Sequence, residues 1–71
     1  MWESFDDFLS SNIDSFRYNR EDRVLEIQFQ TGSVYQYYDV PSSVFETFKE
    51  SDSKGKYFNL RIKGIFRYSK V

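Results

Sequence analysis

Residues 23–39 constrain the chain more than any other stretch: Arg23-Val-Leu-Glu-Ile-Gln-Phe-Gln-Thr-Gly-Ser-Val-Tyr-Gln-Tyr-Tyr-Asp39. Leu25, Ile27 and Phe29 alternate with Glu26, Gln28 and Gln30, the period of a strand with one buried face. The returning arm offers either Tyr35 and Tyr37 or Val34, Gln36 and Tyr38, and the turn decides between them. A two-residue Thr31-Gly32 loop sets Gln36 opposite Ile27, beneath the core. A three-residue Gln30-Thr31-Gly32 loop, with Gly32 in a left-handed bulge, pairs Ile27 with Tyr35 and Leu25 with Tyr37. A slip of one residue would turn a whole arm over. The second register is predicted because it buries tyrosines rather than a glutamine. Leu25, Ile27, Phe29, Tyr35 and Tyr37 are then expected to floor the core, leaving Tyr38 as the surface aromatic.

Strand, turn and helix signals follow on both sides. Residues 12–18 read as a preceding strand in which Phe16 and Tyr18 share a face. Ile13 falls on the other parity, which calls for a bulge or places Ile13 before the regular strand. Asn19–Asp22 is a polar turn. An α+β fold is predicted: a three-stranded antiparallel meander covered by two C-terminal helices. The first helix follows Val40-Pro41, with Pro41 suited to its first position. Ser43 and Glu46 have the spacing of a capping box that would start it slightly later, and Val44, Phe45 and Phe48 form its apolar stripe. Ser53 caps a second helix over roughly 54–63, bearing Tyr57, Phe58 and Ile62, with Gly64 as its stop. Phe66 and Tyr68 alternate with Arg67 in an extended tail that adds a strand or packs over the core. Residues 1–10 read as an extension. Trp2, Phe5, Phe8 and Leu9 have the spacing of a short amphipathic helix, a frayed terminus being the alternative.

What the chain lacks narrows its chemistry. With 71 residues it forms one small domain, and it has no Cys or His. That removes the thiolate, the commonest general base and the commonest metal ligand. The carboxylate pairs Asp6-Asp7 and Glu21-Asp22 fall in exposed settings, and a chain this short is expected to leave too small a cavity for a substrate. No catalytic, cofactor or metal site is assigned. No apolar run approaches the roughly 20 residues of a membrane span, and the acidic start is unlike a signal peptide. A cytoplasmic protein without membrane contact is expected.

The net charge of −1 conceals a division. All eleven carboxylates lie in residues 1–53 beside four basic residues, whereas Lys54, Lys56, Arg61, Lys63, Arg67 and Lys70 have no acid among them. From Ser53 to Tyr68, basic and aromatic residues interleave, as they do where a protein meets phosphates and stacks on bases. Lys54, Lys56, Arg61, Lys63 and Arg67 are the candidate nucleic-acid contacts. The competing reading makes the aromatics core and the cations its solvated backing. Gly55, unfavourable in a helix by about 1 kcal/mol relative to Ala, has a use if a ligand or backbone approaches closely. Asn59 is expected to bond a buried backbone group, with ligand recognition as the alternative.

Several segments together resemble the KTSC domain. They are Ser11-Asn-Ile13 with Tyr18, Leu25-x-Ile-x-Phe29-x-x-Gly32, Tyr35-x-Tyr37, Val40-Pro41-x-x-Val44-Phe45, Ser53-Lys-Gly-Lys-Tyr-Phe-Asn59 and Ile62. The resemblance spans about residues 11–68 and implies a domain at 11–71 after the extension. Phe48 stands where the pattern more often has Leu, and Phe66 near a usual Tyr. Such domains stand alone in small bacterial proteins and follow some lysyl-tRNA synthetases. The resemblance therefore implies a small binding module without established activity, for which RNA, tRNA or single-stranded, is the expected partner. Another protein, or a second copy meeting acidic half to basic tail, is the alternative.

Overall fold

Gly32 takes φ of 93°, and around it the chain reverses with the Phe29 N–H donating to the Ser33 oxygen and the Gly32 N–H to the Phe29 oxygen, both at 2.9 Å. This is the three-residue bulged loop, and it sets Ile27 opposite Tyr35 and Leu25 opposite Tyr37. The computed structural model describes residues 1–71. In order along the chain are β1 (Trp2–Phe5), β2 (Ile13–Asn19), β3 (Val24–Phe29), β4 (Val34–Tyr37), α1 (Ser42–Glu50), α2 (Lys54–Arg61) and β5 (Tyr68–Lys70). The strands form one antiparallel sheet in the order β1-β2-β3-β4-β5.

The α+β class and the helix-covered face agree with the sequence reading, but the sheet has five strands rather than three. The predicted helix near the N-terminus is instead strand β1. A helix of two turns has little stability of its own, whereas β2 offers an unpaired edge of backbone donors and acceptors. On that edge Phe5 packs over Phe16 with centroids 5.5 Å apart, and Phe8, just past the strand, stacks on Phe5 at 5.7 Å. Trp2 faces the other way, with the Arg17 guanidinium 4.1 Å from its ring centroid. The helical spacing of residues 2–9 was thus shared by a strand and the loop after it. At the far edge β5 adds the fifth strand, so the helices lie between β4 and β5 rather than at the end of the chain. The tail does both things expected of it: Phe66 packs against the core and Tyr68–Lys70 pairs with β4.

A register shift between Ile13 and Ser15 resolves the parity conflict in β2. It brings Ile13, Phe16 and Tyr18 into the core with Leu25, Ile27 and Tyr37. Phe29 and Tyr35 are only half-buried, since they border the open end of the α2 cover. Helix α1 lays Phe45 on Tyr18 at 4.6 Å and Phe48 on Phe16 at 4.2 Å. It begins after Pro41 with no side-chain cap. The Ser43–Glu46 capping box does not form: the helix already starts at Ser42, which places Ser43 inside it, and the Glu46 carboxylate pairs with Arg20 and Lys49. Helix α2 is capped as predicted, the Ser53 Oγ accepting from the Lys56 N–H at 3.3 Å, but ends at Arg61. Gly64, at φ 79°, follows in the reversing turn, while Ile62 is fully buried. No helix is long and apolar enough to cross a membrane.

Candidate nucleic-acid interface

The five basic residues singled out in the sequence have three different fates. Lys54 is only 7% exposed. Its Nζ donates to the Ser51 oxygen at 2.6 Å and lies 5.7 and 5.4 Å from the Phe5 and Phe8 ring centroids, so this ammonium pins the start of α2 to the β1 end. Arg67 lies over the Tyr38 ring, 5.2 Å from its centroid, and pairs with Asp39 at 3.3 Å. Tyr38 is accordingly half-buried rather than open. Lys56, Arg61 and Lys63 are exposed and form no ion pair; Lys70, on β5, is likewise unpaired.

The basic residues of the acidic half are used differently. Arg20 links Glu3 on β1, at 2.5 Å, to Glu46 on α1. These hydrogen bonds raise the Arg20 pKa, and the Arg20 bond, reinforced by Lys49, lowers that of Glu46. On the uncovered sheet face Arg17 donates to Glu26 at 2.7 and 3.2 Å, and Gln36 donates to the same carboxylate at 2.9 Å. The Arg17 bond leads in holding the Glu26 carboxyl below its ordinary value, opposed by burial and assisted by Gln36. Three of the four cations in this half, Arg17, Arg20 and Lys49, are committed to carboxylates, and Arg23 is exposed without an ion pair. The other free ones belong to the tail.

Two concavities flank α2. One, of about 680 Å³, lies between the loop carrying Leu9, Ser10 and Asn12 and the side of α2 carrying Gly55, Lys56 and Asn59. It is roomier than the length of the chain led one to expect. The other, of about 440 Å³, opens between the C-terminal end of α2 and the β4–β5 edge. Asn12 and Asn59 line both, so the two form one groove with the amides on its ridge. Asn59 is exposed and bonds no buried backbone group, contrary to the expectation for it. Lys63 borders the second concavity, while Lys56 and Arg61 share a shallower one on the next side of α2. Lys56 thus borders the first concavity as well as this shallower one. The free cations surround α2 on more than one side, and Arg67 stands apart from them.

Tyr37 is 4% exposed, and its hydroxyl has no partner within the chain. Every fully sealed side-chain nitrogen or oxygen does have one, so this oxygen is not fully sealed, and Tyr37 lines the second concavity. Burial, followed by the neighbouring Tyr35 and Tyr68, pushes the phenol up to about 12. At neutral pH it is a hydrogen-bond donor. Asn12 and Tyr68 had not been recognised as candidates. The alternation of Phe66 and Tyr68 was a signal for the latter; Asn12 lay within the Ser11-Asn-Ile13 segment of the resemblance, but nothing local gave it a ligand role, since it meets α2 only through the fold.

A protein-family model, the KTSC domain, matches residues 9–68. The crystal structure of a KTSC domain protein from Yersinia pestis superposes with a TM-score of 0.93 at 37% identity, covering 100% of this chain and 99% of that one. A lysine–tRNA ligase of Nostoc punctiforme is 43% identical over 61 residues, 86% of this chain but 11% of the ligase. The chain thus spans about a tenth of the length of the ligases it matches. An uncharacterized protein of Stutzerimonas stutzeri is 40% identical over 50 residues, 70% of each chain.

Proposed function

This chain belongs to the KTSC domain family, and we propose that it is a small, non-catalytic binding module whose ligand is RNA. The module proper is residues 11–71, with residues 1–10 an extension that completes the sheet edge. The observation that carries the reading is the division of cations. Those of residues 1–53 are largely committed to carboxylates, while Lys56, Arg61 and Lys63 stand free around one helix among aromatic side chains. Free cations of this kind displace the counterions condensed on nucleic-acid phosphates. Arg67 joins by exchanging Asp39 for a phosphate, and Lys54 contributes from within by holding the first turn of α2. The occurrence of a similar segment in lysine–tRNA ligases supports tRNA or single-stranded RNA as the ligand and the cytoplasm as the setting.

Titration with tRNA and with a short single strand at rising salt tests this. Four phosphate contacts give a slope of log K against log salt of about −3, and replacing Lys56, Arg61 and Lys63 together with Gln removes most of it. Absence of binding at low salt, or chemical-shift changes spread over the acidic half, overturns the proposal. A second reading, a protein partner or a second copy of the chain, is favoured by Leu9 and Leu60, 100% and 63% exposed on the same groove. Salt-sensitive dimerisation in sedimentation would support it.

A further inference from the structure

Five aromatic side chains form a closed circuit of contacts beside the second concavity. Phe29 lies 5.7 Å from Tyr35, Tyr35 5.8 Å from Tyr68, Tyr68 5.7 Å from Tyr37, Tyr37 5.6 Å from Phe58, and Phe58 5.4 Å from Phe29, each centroid to centroid. All five line the 440 Å³ cleft. Three features go beyond ordinary core packing. Tyr68 is 59% exposed, so the ring is open on the β5 side. Tyr37, otherwise buried, lines the cleft, and its hydroxyl has no partner within the chain. The Asn12 and Asn59 side chains at the mouth make no hydrogen bond within the chain.

We propose that this cleft receives one unstacked base of single-stranded RNA, with Tyr68 as the stacking face, Tyr37 and the two asparagines as donors and acceptors for the base edge, and Lys63 on the adjoining phosphate. The inference rests on the RNA reading and adds to it the place where a base is held. Aromatic enclosures also bind alkylammonium groups through cation–π attraction, but here charge decides against that guest. The only charged lining residue is Lys63, and no carboxylate lines the cleft. A base carrying its phosphate meets a cation and loose polar groups. An ammonium meets a like charge.

The test uses the full chain with hexauridylate and hexaadenylate, and compares Tyr68→Ala, Tyr68→Phe and Asn59→Ala. Tyr68 and Asn59 are exposed, so the fold tolerates these changes. Loss of one stacked base weakens binding by about 5- to 150-fold. Tyr68→Ala is expected to show such a loss with an unchanged salt slope, while Tyr68→Phe, which keeps the ring, retains most of the affinity. Asn59→Ala narrows the difference between the two oligonucleotides. In the unaltered protein the Tyr35, Tyr37 and Tyr68 ring resonances shift on binding. If Tyr68→Ala binds as tightly as the parent, the base site is wrong while RNA binding stands. If neither oligonucleotide nor tRNA binds the parent, both readings fall. If choline shifts these resonances and RNA does not, the cleft is a cation site and the proposal is overturned.

Discussion

The hydroxyl of Tyr18, fully buried on β2, donates to the carbonyl oxygen of Val40 at 2.5 Å. Val40 immediately precedes Pro41, so this bond fixes where the chain leaves the sheet and α1 begins. The phenol ring is meanwhile stacked under Phe45. Tyr18→Phe keeps the stack and strips a buried carbonyl of its partner. A loss of about 1–3 kcal/mol is expected in urea unfolding at neutral pH, with little change in the denaturant slope.

Gly32 sets the register of the central hairpin, and its positive φ is what a side chain opposes. A Cβ there meets no atom within 4 Å, so any penalty is conformational and not steric crowding by neighbours. Gly32→Ala is expected to destabilise by about 1–2 kcal/mol. Thermal unfolding measures it. An unchanged midpoint would show that the loop readily adopts another turn.

The hairpin could be read in advance because two independent demands, a left-handed residue in the loop and no glutamine under the core, selected one register. The α2 cap was equally local: Ser53 and Lys56 are three residues apart. The first strand could not be read this way. Trp2, Phe5 and Phe8 fit a helix or a strand with a following loop, and what favours the strand, the free edge of β2, is far away in sequence. Lys54 misled for a related reason. Its positive charge suggests solvent, but a lysine stem can lie along aromatic rings while its ammonium finds a carbonyl. The groove was the least legible, since Asn12, Asn59 and Tyr68 come from three parts of the chain.

Glu26 joins two strands by accepting from Arg17 and Gln36, and its pKa is lowered chiefly by the Arg17 bond. A depressed folded-state pKa stabilises above the unfolded value of about 4.5. The contribution fades as pH falls through the folded value. Glu26→Gln is expected to cost about 0.5–1 kcal/mol at pH 7, Arg17 being partly exposed. At pH 3 the gap between variant and parent should narrow, as read from urea midpoints at the two pH values.

Tyr37 shifts the other way. Burial and its phenolic neighbours raise its pKa to about 12 from the ordinary 10. The fold therefore favours the neutral phenol, and that stability is intact below pH 10 and lost as pH rises toward 12. Tyr37→Phe, unable to ionise, should lose less stability than the parent across this interval. Absorbance at 295 nm should place one late-titrating phenol in the parent that the variant lacks.

Gly55 separates the demands of the fold from those of a ligand. It lies in the first turn of α2 and lines the groove beside Lys56. A Cβ there would meet only the Ser10 Oγ, at 3.9 Å, an ordinary contact. The fold does not require glycine at this position, and Gly55→Ala is expected to stabilise by about 0.5–1 kcal/mol through helix propensity and a less disordered unfolded chain. If RNA runs along the groove, the same methyl stands where its backbone comes close, and affinity falls while the melting temperature rises. Opposite signs in the two measurements would explain why a helix carries a residue that weakens it. A rise in stability with RNA affinity unchanged would mean that the strand does not pass Gly55, and would confine any contact to the aromatic end of the groove.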